Sequence, residues 1–190
     1  ASAENIRKFT RGSFYPNGQL NKNAKIIAWK NFEPENLDFQ NYQKPKMVDC
    51  ILIHENDLSL QDIPDFKYML IQQNSLQSIS RSKKVHTYID NALKGFKKRV
   101  DGKFSGEVIS FNFENFQPIK NFIKEKKIRK VYSPYPSIGF LKSKLMDIEK
   151  LENIKFKFFC NHWDILFWPH AKKGFFKLKK QIKPIITNLD

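Results

Sequence analysis

Between Val48 and Cys160 the chain alternates short apolar, β-prone runs with amphipathic stretches, and this alternation most restricts what it can fold into. Parallel strands need crossover connections, and a helix is the usual one, so strand, helix, strand, helix, strand predicts an α/β domain. VDCILIH opens the series as a nearly continuous apolar run, the pattern of a strand buried on both faces. FKYMLIQ (Phe66–Gln72) reads as a second strand. SKKVHTYIDNALKGFKKRV then places Val85, Ile89, Ala92, Phe96 and Val100 on one helical face, with Ser82 as N-cap and Asp101–Gly102 as the stop. EVISFNF is strand-like, ENFQPIKNFIKEKK is helical with Phe116, Ile119 and Ile123 in phase, and IRKVYSPYP is a strand ending in a proline-rich turn. SIGFLKSKLMDIEKL is helical through Ile138, Leu141, Leu145 and Ile148, with Ser137 as its N-cap, and KFKFFC is the last strand. The expected fold is Rossmann-like: a doubly wound, mainly parallel sheet with helices on both faces.

Residues 1–46 differ in kind. Their periodicity is weak, turn-rich pieces such as YPNG and FEPEN recur, and one apolar island stands at Ile26–Trp29. They read as an arm or cover segment ahead of an α/β domain over 47–190. The formal net charge is +15, which suits a nucleic acid, a phosphorylated ligand or an acidic protein surface. Lys, Asn, Ile and Phe share A/T-rich codons, so the total alone decides nothing and the placement of charge carries the information. Cys50 and Cys160 sit in apolar stretches, as reduced core thiols do. With no apolar run long enough for a span and no signal-peptide core at the start, the expectation is a cytoplasmic protein with no membrane segment.

In a doubly wound sheet, ligands lie at the carboxyl ends of the strands, which selects three loops: HENDL, SPYPSIG and CNHWD. Neither GxGxxG after the first strand nor GxxxxGK[ST] is present, so the usual nucleotide cradles are not expected. SPYPSIG could offer backbone N–H groups to an anion at a helix start, or be a plain rigid turn. His54, Glu55 and Asp57 combine an imidazole with carboxylates, the ingredients of acid–base chemistry, though a capping or turn role for Asp57 and a solvated His54 is the plainer reading. Cys160, His162 and His170 match no structural zinc spacing and lack a fourth ligand, so no metal is expected. From Ile165 to Thr187 the chain carries lysines and no carboxylate, interleaved with Phe167, Trp168, Phe175 and Phe176. A helix starting near Pro169 would present Lys172, Lys173, Lys177 and Lys180 on a broad face and Phe175, Leu178 and Ile182 on the other. That arrangement suits phosphates as well as it suits a solvated terminal helix.

Two stretches resemble the DNA photolyase and cryptochrome family, in its N-terminal α/β half. ILIHENDLSLQDIP is similar to the family's opening strand and turn, with Asp57, Leu58, Asp62 and Pro64 on matching positions; Ile53, His54, Glu55 and Ser59 replace its usual aromatic and arginine residues. RKVYSPYPSIGFL followed by HWDILFWPHAKKGFFKLKKQI is similar to short photolyase-related bacterial proteins. The resemblance covers roughly Val48 to Ile186. It implies an α/β module that holds or adjoins an antenna chromophore and packs on an all-helical domain that binds FAD, with FAD reaching this chain only through a separate partner domain. It further implies an accessory role in light-dependent DNA repair, with Lys172, Lys173, Lys177 and Lys180 as contacts to DNA or another anion. Trp163, Trp168, His170 and Phe175 would supply stacking or interface area. Two other readings stay open. One is a small enzyme acting on a phosphorylated or nucleotide-like substrate at the loops holding His54, Ser133 and His162. The other is a plain protein-interaction domain.

Overall fold

The computed structural model describes residues 2–21, 39–61, 63–152 and 154–189. The apolar island at Ile26–Trp29 and the FEPEN turn lie outside the described residues. The chain divides into two compact units, Ala1–Leu37 and Asp38–Asp190. In the first, α1 (Ala3–Phe9) starts at Ser2, whose hydroxyl accepts the Asn5 N–H at 3.2 Å, an ordinary N-cap.

The second unit is built on a five-stranded sheet, all of whose pairings are parallel, in the order β3-β2-β1-β4-β5. The strands are β1 (Met47–Ile53), β2 (Asp65–Gln72), β3 (Glu107–Phe111), β4 (Lys130–Pro134) and β5 (Lys155–Phe159). The expected doubly wound sheet is therefore present, with helices on both faces. On one face α3 (Gln117–Glu125) and α4 (Phe140–Glu152) bring Ile119, Ile123, Leu141, Leu145 and Ile148 onto Cys50, Leu52, Leu70, Val131 and Phe156. On the other, α2 (Lys83–Val100) packs Phe96 and Val100 against Ile51, Ile53, Met69 and Ile71. Neighbouring residues of β1 thus serve opposite faces, which is why VDCILIH reads as one unbroken apolar run.

The helix boundaries follow local chemistry. Ser82 caps α2 by accepting the Val85 N–H at 3.4 Å, as its position predicts. The core side of α2 is nonetheless narrower than the periodicity suggests: Leu93, Phe96 and Val100 are buried, while Val85 is 43% exposed. Ile138 departs from expectation altogether. It lies in the turn before α4 and is 60% exposed, because α4 begins only at Phe140, after Gly139 with its φ of +137°. Ser137 is accordingly not the cap of that helix.

The C-terminal stretch also differs from one continuous helix. After α5 (His162–Phe167) comes a 3₁₀ segment at Trp168–Lys173, and α6 (Phe175–Thr187) starts only past Gly174. Gly174 adopts φ 81°, a left-handed conformation that a non-glycine residue enters reluctantly, and it separates Lys172 from the helix that carries Lys177 and Lys180. No residue of α5 or α6 is buried. Among the described residues, no helix is long and apolar enough to cross a membrane.

Candidate functional site

The sheet order places a switch point between β1 and β4, since the chain runs from β1 through β2 to β3 on one side and then returns to β4 and β5 on the other. The three loops selected from the sequence meet there. His54 bridges the first two. Its Nε2 lies 2.9 Å from the Pro134 carbonyl, and its Nδ1 accepts the Asn56 N–H at 3.3 Å. A carbonyl can only accept and an amide N–H can only donate, so the pair of bonds selects the neutral imidazole protonated on Nε2. Asn56 Nδ2 donates to Ser137 Oγ at 2.6 Å, a second tie between the same loops. Asp57 reaches the third loop through a long 3.5 Å contact from Asn161 Nδ2. Asn161 in turn caps α5, its Oδ1 accepting the Asp164 N–H at 2.8 Å.

His54 is fully buried, and desolvation lowers its pKa below the ordinary histidine value even though Pro134, Asp57 and Glu55 oppose the shift. The expected solvated His54 is corrected by its full burial, and the ring is not poised for acid–base chemistry either, since both nitrogens are engaged with backbone groups. Glu55 is likewise a structural carboxylate. Its side chain is only 3% exposed and it pairs with Arg81 at 2.6 Å. It also accepts from Gln72 Nε2 at 3.0 Å and from the Leu76 N–H at 3.1 Å, while its own N–H donates to Gln72 Oε1 at 2.9 Å. Glu55 therefore organises the loop after β2 around the end of β1. Asp57 closes a local turn by accepting the Ser59 N–H at 2.9 Å. The rest of the family-like motif is partly in view: Leu58 packs on the α2 side of the core, Pro64 is buried, and Asp62 lies outside the described residues.

The three residues grouped for a small enzyme do not form a reacting set. Ser133 is fully buried and its Oγ finds no hydrogen-bond partner among the described residues, His54 is engaged as above, and His162 lies exposed at the start of α5. No group of three His, Cys, Asp or Glu residues that could hold a metal occurs among the described residues. Burial pushes the thiols of Cys50 and Cys160 up to about 12, with Asp49 adding to the first and Asp164 and Asp57 to the second. These are inert core thiols, far from the thiolate form that attacks electrophiles or binds zinc.

A second feature of this edge has no linear signature in the sequence. Tyr135, just past β4, meets Tyr42, Phe158 and Trp168 edge-on at ring-centroid distances of 5.2, 5.9 and 5.7 Å. Lys142 donates to the Tyr135 hydroxyl at 2.9 Å and sits 5.0 Å from its ring centre. This hub fastens the 3₁₀ segment to the sheet through Trp168. Trp163 stacks on Phe167 at 5.6 Å and is 48% exposed. His170 and Lys172 are exposed, as are Lys177 and Lys180 on α6. Beyond the hub the apolar surface is open: Phe175 is 62% exposed and Phe176 80% exposed.

The His54–Pro134 and Asn56–Ser137 bonds tie the first two loops together at the switch point. What the geometry offers is a knitted platform of loops extended by an aromatic and basic C-terminal surface. Comparison of the chain with protein-family models, with curated proteins and with solved structures finds no match.

Proposed function

We propose that this chain is a photolyase-related α/β module that works by docking a helical, flavin-binding domain, contributing to light-dependent DNA repair as an accessory rather than as the chemical centre. The observation that carries the reading is α6, an amphipathic helix with no buried residue. Its half-covered residues Leu178, Ile182 and Ile185 are flanked by the exposed Phe175, Ile186 and Leu189. Apolar surface of this extent beside lysines suits a partner with an apolar centre and an acidic rim. In this reading Trp168, held by Tyr135, sets the position of α6, while Lys177 and Lys180 on its far side remain available to an acidic partner or to phosphates. Lys172 contributes from the 3₁₀ segment. The flavin and its electron transfer belong to the partner domain, and no pigment is assigned to the switch point.

The test is reconstitution with a helical flavin-binding domain of the photolyase type, read as co-elution of the chain with visible flavin absorption. Phe175→Asp combined with Phe176→Asp should abolish co-elution and leave the melting temperature of the chain unchanged. Purification from the native host that yields neither a flavoprotein partner nor a chromophore would overturn the reading.

A further inference from the structure

We infer that the outward face of α2 is a second binding surface, and that its ligand is a single strand of nucleic acid. This surface lies on a different helix from the docking surface and rests on charge placement and one exposed aromatic ring, independent of the photolyase reading. α2 carries six cations, Lys83, Lys84, Lys94, Lys97, Lys98 and Arg99, against one carboxylate, Asp90. Asp90 is turned to the loop after β2, where its Oδ1 accepts the Ser75 N–H at 2.7 Å. His86 is turned the same way, with Nδ1 2.7 Å from Ser75 Oγ. Lys97 donates to Ser110 Oγ at 2.8 Å, and Arg99 lies over the Phe96 ring at 5.7 Å.

The remaining lysines, Lys83, Lys84, Lys94 and Lys98, are all exposed; in the helical period Lys84 and Lys98 fall opposite Leu93, Phe96 and Val100, with Lys94 beside them and Lys83 on the flank. They form a cationic strip about 21 Å long from Lys84 to Lys98, at 1.5 Å per residue. Between them lie Thr87 and Asn91, hydrogen-bonding side chains that lack charge. Beside the strip stands Tyr88, 75% exposed, on an open surface that it shares with Lys83, Lys84, Thr87 and Asn91.

A solvated lysine face would explain the strip but not an aromatic ring left open beside it. Regularly spaced phosphates neutralise the lysines, and a base of an unpaired strand stacks on the Tyr88 ring, as in surfaces that track single strands without reading sequence. A duplex keeps its bases stacked inside and leaves Tyr88 without that role. DNA and RNA share this chemistry, so the probes are a labelled oligothymidylate, a labelled oligouridylate and a duplex of the same length, each titrated against the full chain by fluorescence anisotropy.

The expected result is tighter binding of either strand than of the duplex. K83Q/K84Q/K94Q/K98Q should weaken strand binding about tenfold or more and reduce the slope of log K against log salt by about 3, near 0.7 for each phosphate that is no longer neutralised. Tyr88→Ala should weaken it about fivefold or more with the salt slope unchanged. The smaller variant K84Q/K98Q should show about half the loss of slope, which keeps the test readable if the fourfold variant does not fold. K124Q/K150Q, on α3 and α4 across the sheet from α2, should bind as the unaltered chain does. Unchanged affinity in K84Q/K98Q, an equal loss in K124Q/K150Q, no effect of Tyr88→Ala, or tighter binding of the duplex would each overturn the proposal.

Discussion

α4 and α6 are each thirteen residues of amphipathic helix, yet the first is fastened to the sheet and the second buries nothing. Leu141, Leu145 and Ile148 of α4 are buried against β1, β4 and β5, whereas Leu178, Ile182 and Ile185 of α6 are only half-covered, by neighbours in α5 and the 3₁₀ segment. Amphipathicity is a property of residue order alone. Burial requires a broad opposing surface, and within the described residues α6 meets chiefly the short α5 and 3₁₀ segments, which cover it only in part. The contrast separates a helix that stabilises the fold from one that is free to serve an interface.

Deletion of apolar side chains should expose the difference most strongly. Phe96→Ala on α2 empties a fully buried site and should cost about 3–5 kcal/mol in denaturant unfolding. Phe176→Ala should change it by less than about 0.5 kcal/mol. Comparable losses would mean that α6 is part of the cooperative core after all. Next in size is the buried pair at the end of β1. Glu55→Ala leaves Arg81 and the Leu76 N–H without their acceptor and should destabilise by about 3 kcal/mol, since breaking a buried ion pair strands its partner. An unfolding midpoint within error of the unaltered chain would remove Glu55 from the scaffold.

The His54 latch gives a smaller effect that depends on pH. The unfolded imidazole takes up a proton near pH 6.5, whereas burial holds the folded one neutral to lower pH, so in that window the unfolded state binds more protons. Its contribution is therefore fully present above about pH 6.5 and drains away as the pH falls toward the folded value. Melting temperatures measured from pH 7.5 down to 5 should decline, and His54→Gln should be less stable at neutral pH with a flatter profile; parallel profiles would refute the latch. The smallest change belongs to α6 itself. Pro184 stands inside that helix, where it cannot donate a backbone hydrogen bond, so Pro184→Ala should raise the helical signal in circular dichroism and leave global unfolding nearly unchanged. A large rise in global stability would show that α6 does belong to the cooperative unit.

Much of the frame was legible because it depends on short-range pattern. The strand at VDCILIH, the helix capped by Ser82 and the three loops at the sheet's carboxyl edge all follow from residue order, since burial on two faces, a capping hydroxyl and crossover topology leave local marks. The roles of His54 and Glu55 did not. A histidine next to carboxylates can be a tuned base or a buried tie, and the choice depends on Pro134 and Arg81, which lie far along the chain. Ile138 and the start of α6 were misplaced for a related reason: apolar spacing continues through Gly139 and Gly174, while the backbone turns at both glycines. Tyr135's ring cluster draws on Tyr42, Phe158 and Trp168, residues with no common spacing to announce it.

The sequence by itself determined the α/β class, because short apolar strands alternating with amphipathic helices are readily buried as a sheet layered between helices. It also determined a C-terminal segment rich in lysine and aromatic residues. Only the tertiary structure decided which of these amphipathic helices finds an apolar surface, that the imidazole at the switch point is a latch, and that the lysines of α2 line up beside an open tyrosine. Those outcomes depend on contacts between residues far apart in the chain, where solvent exclusion and hydrogen-bond geometry are settled only once the sheet has formed.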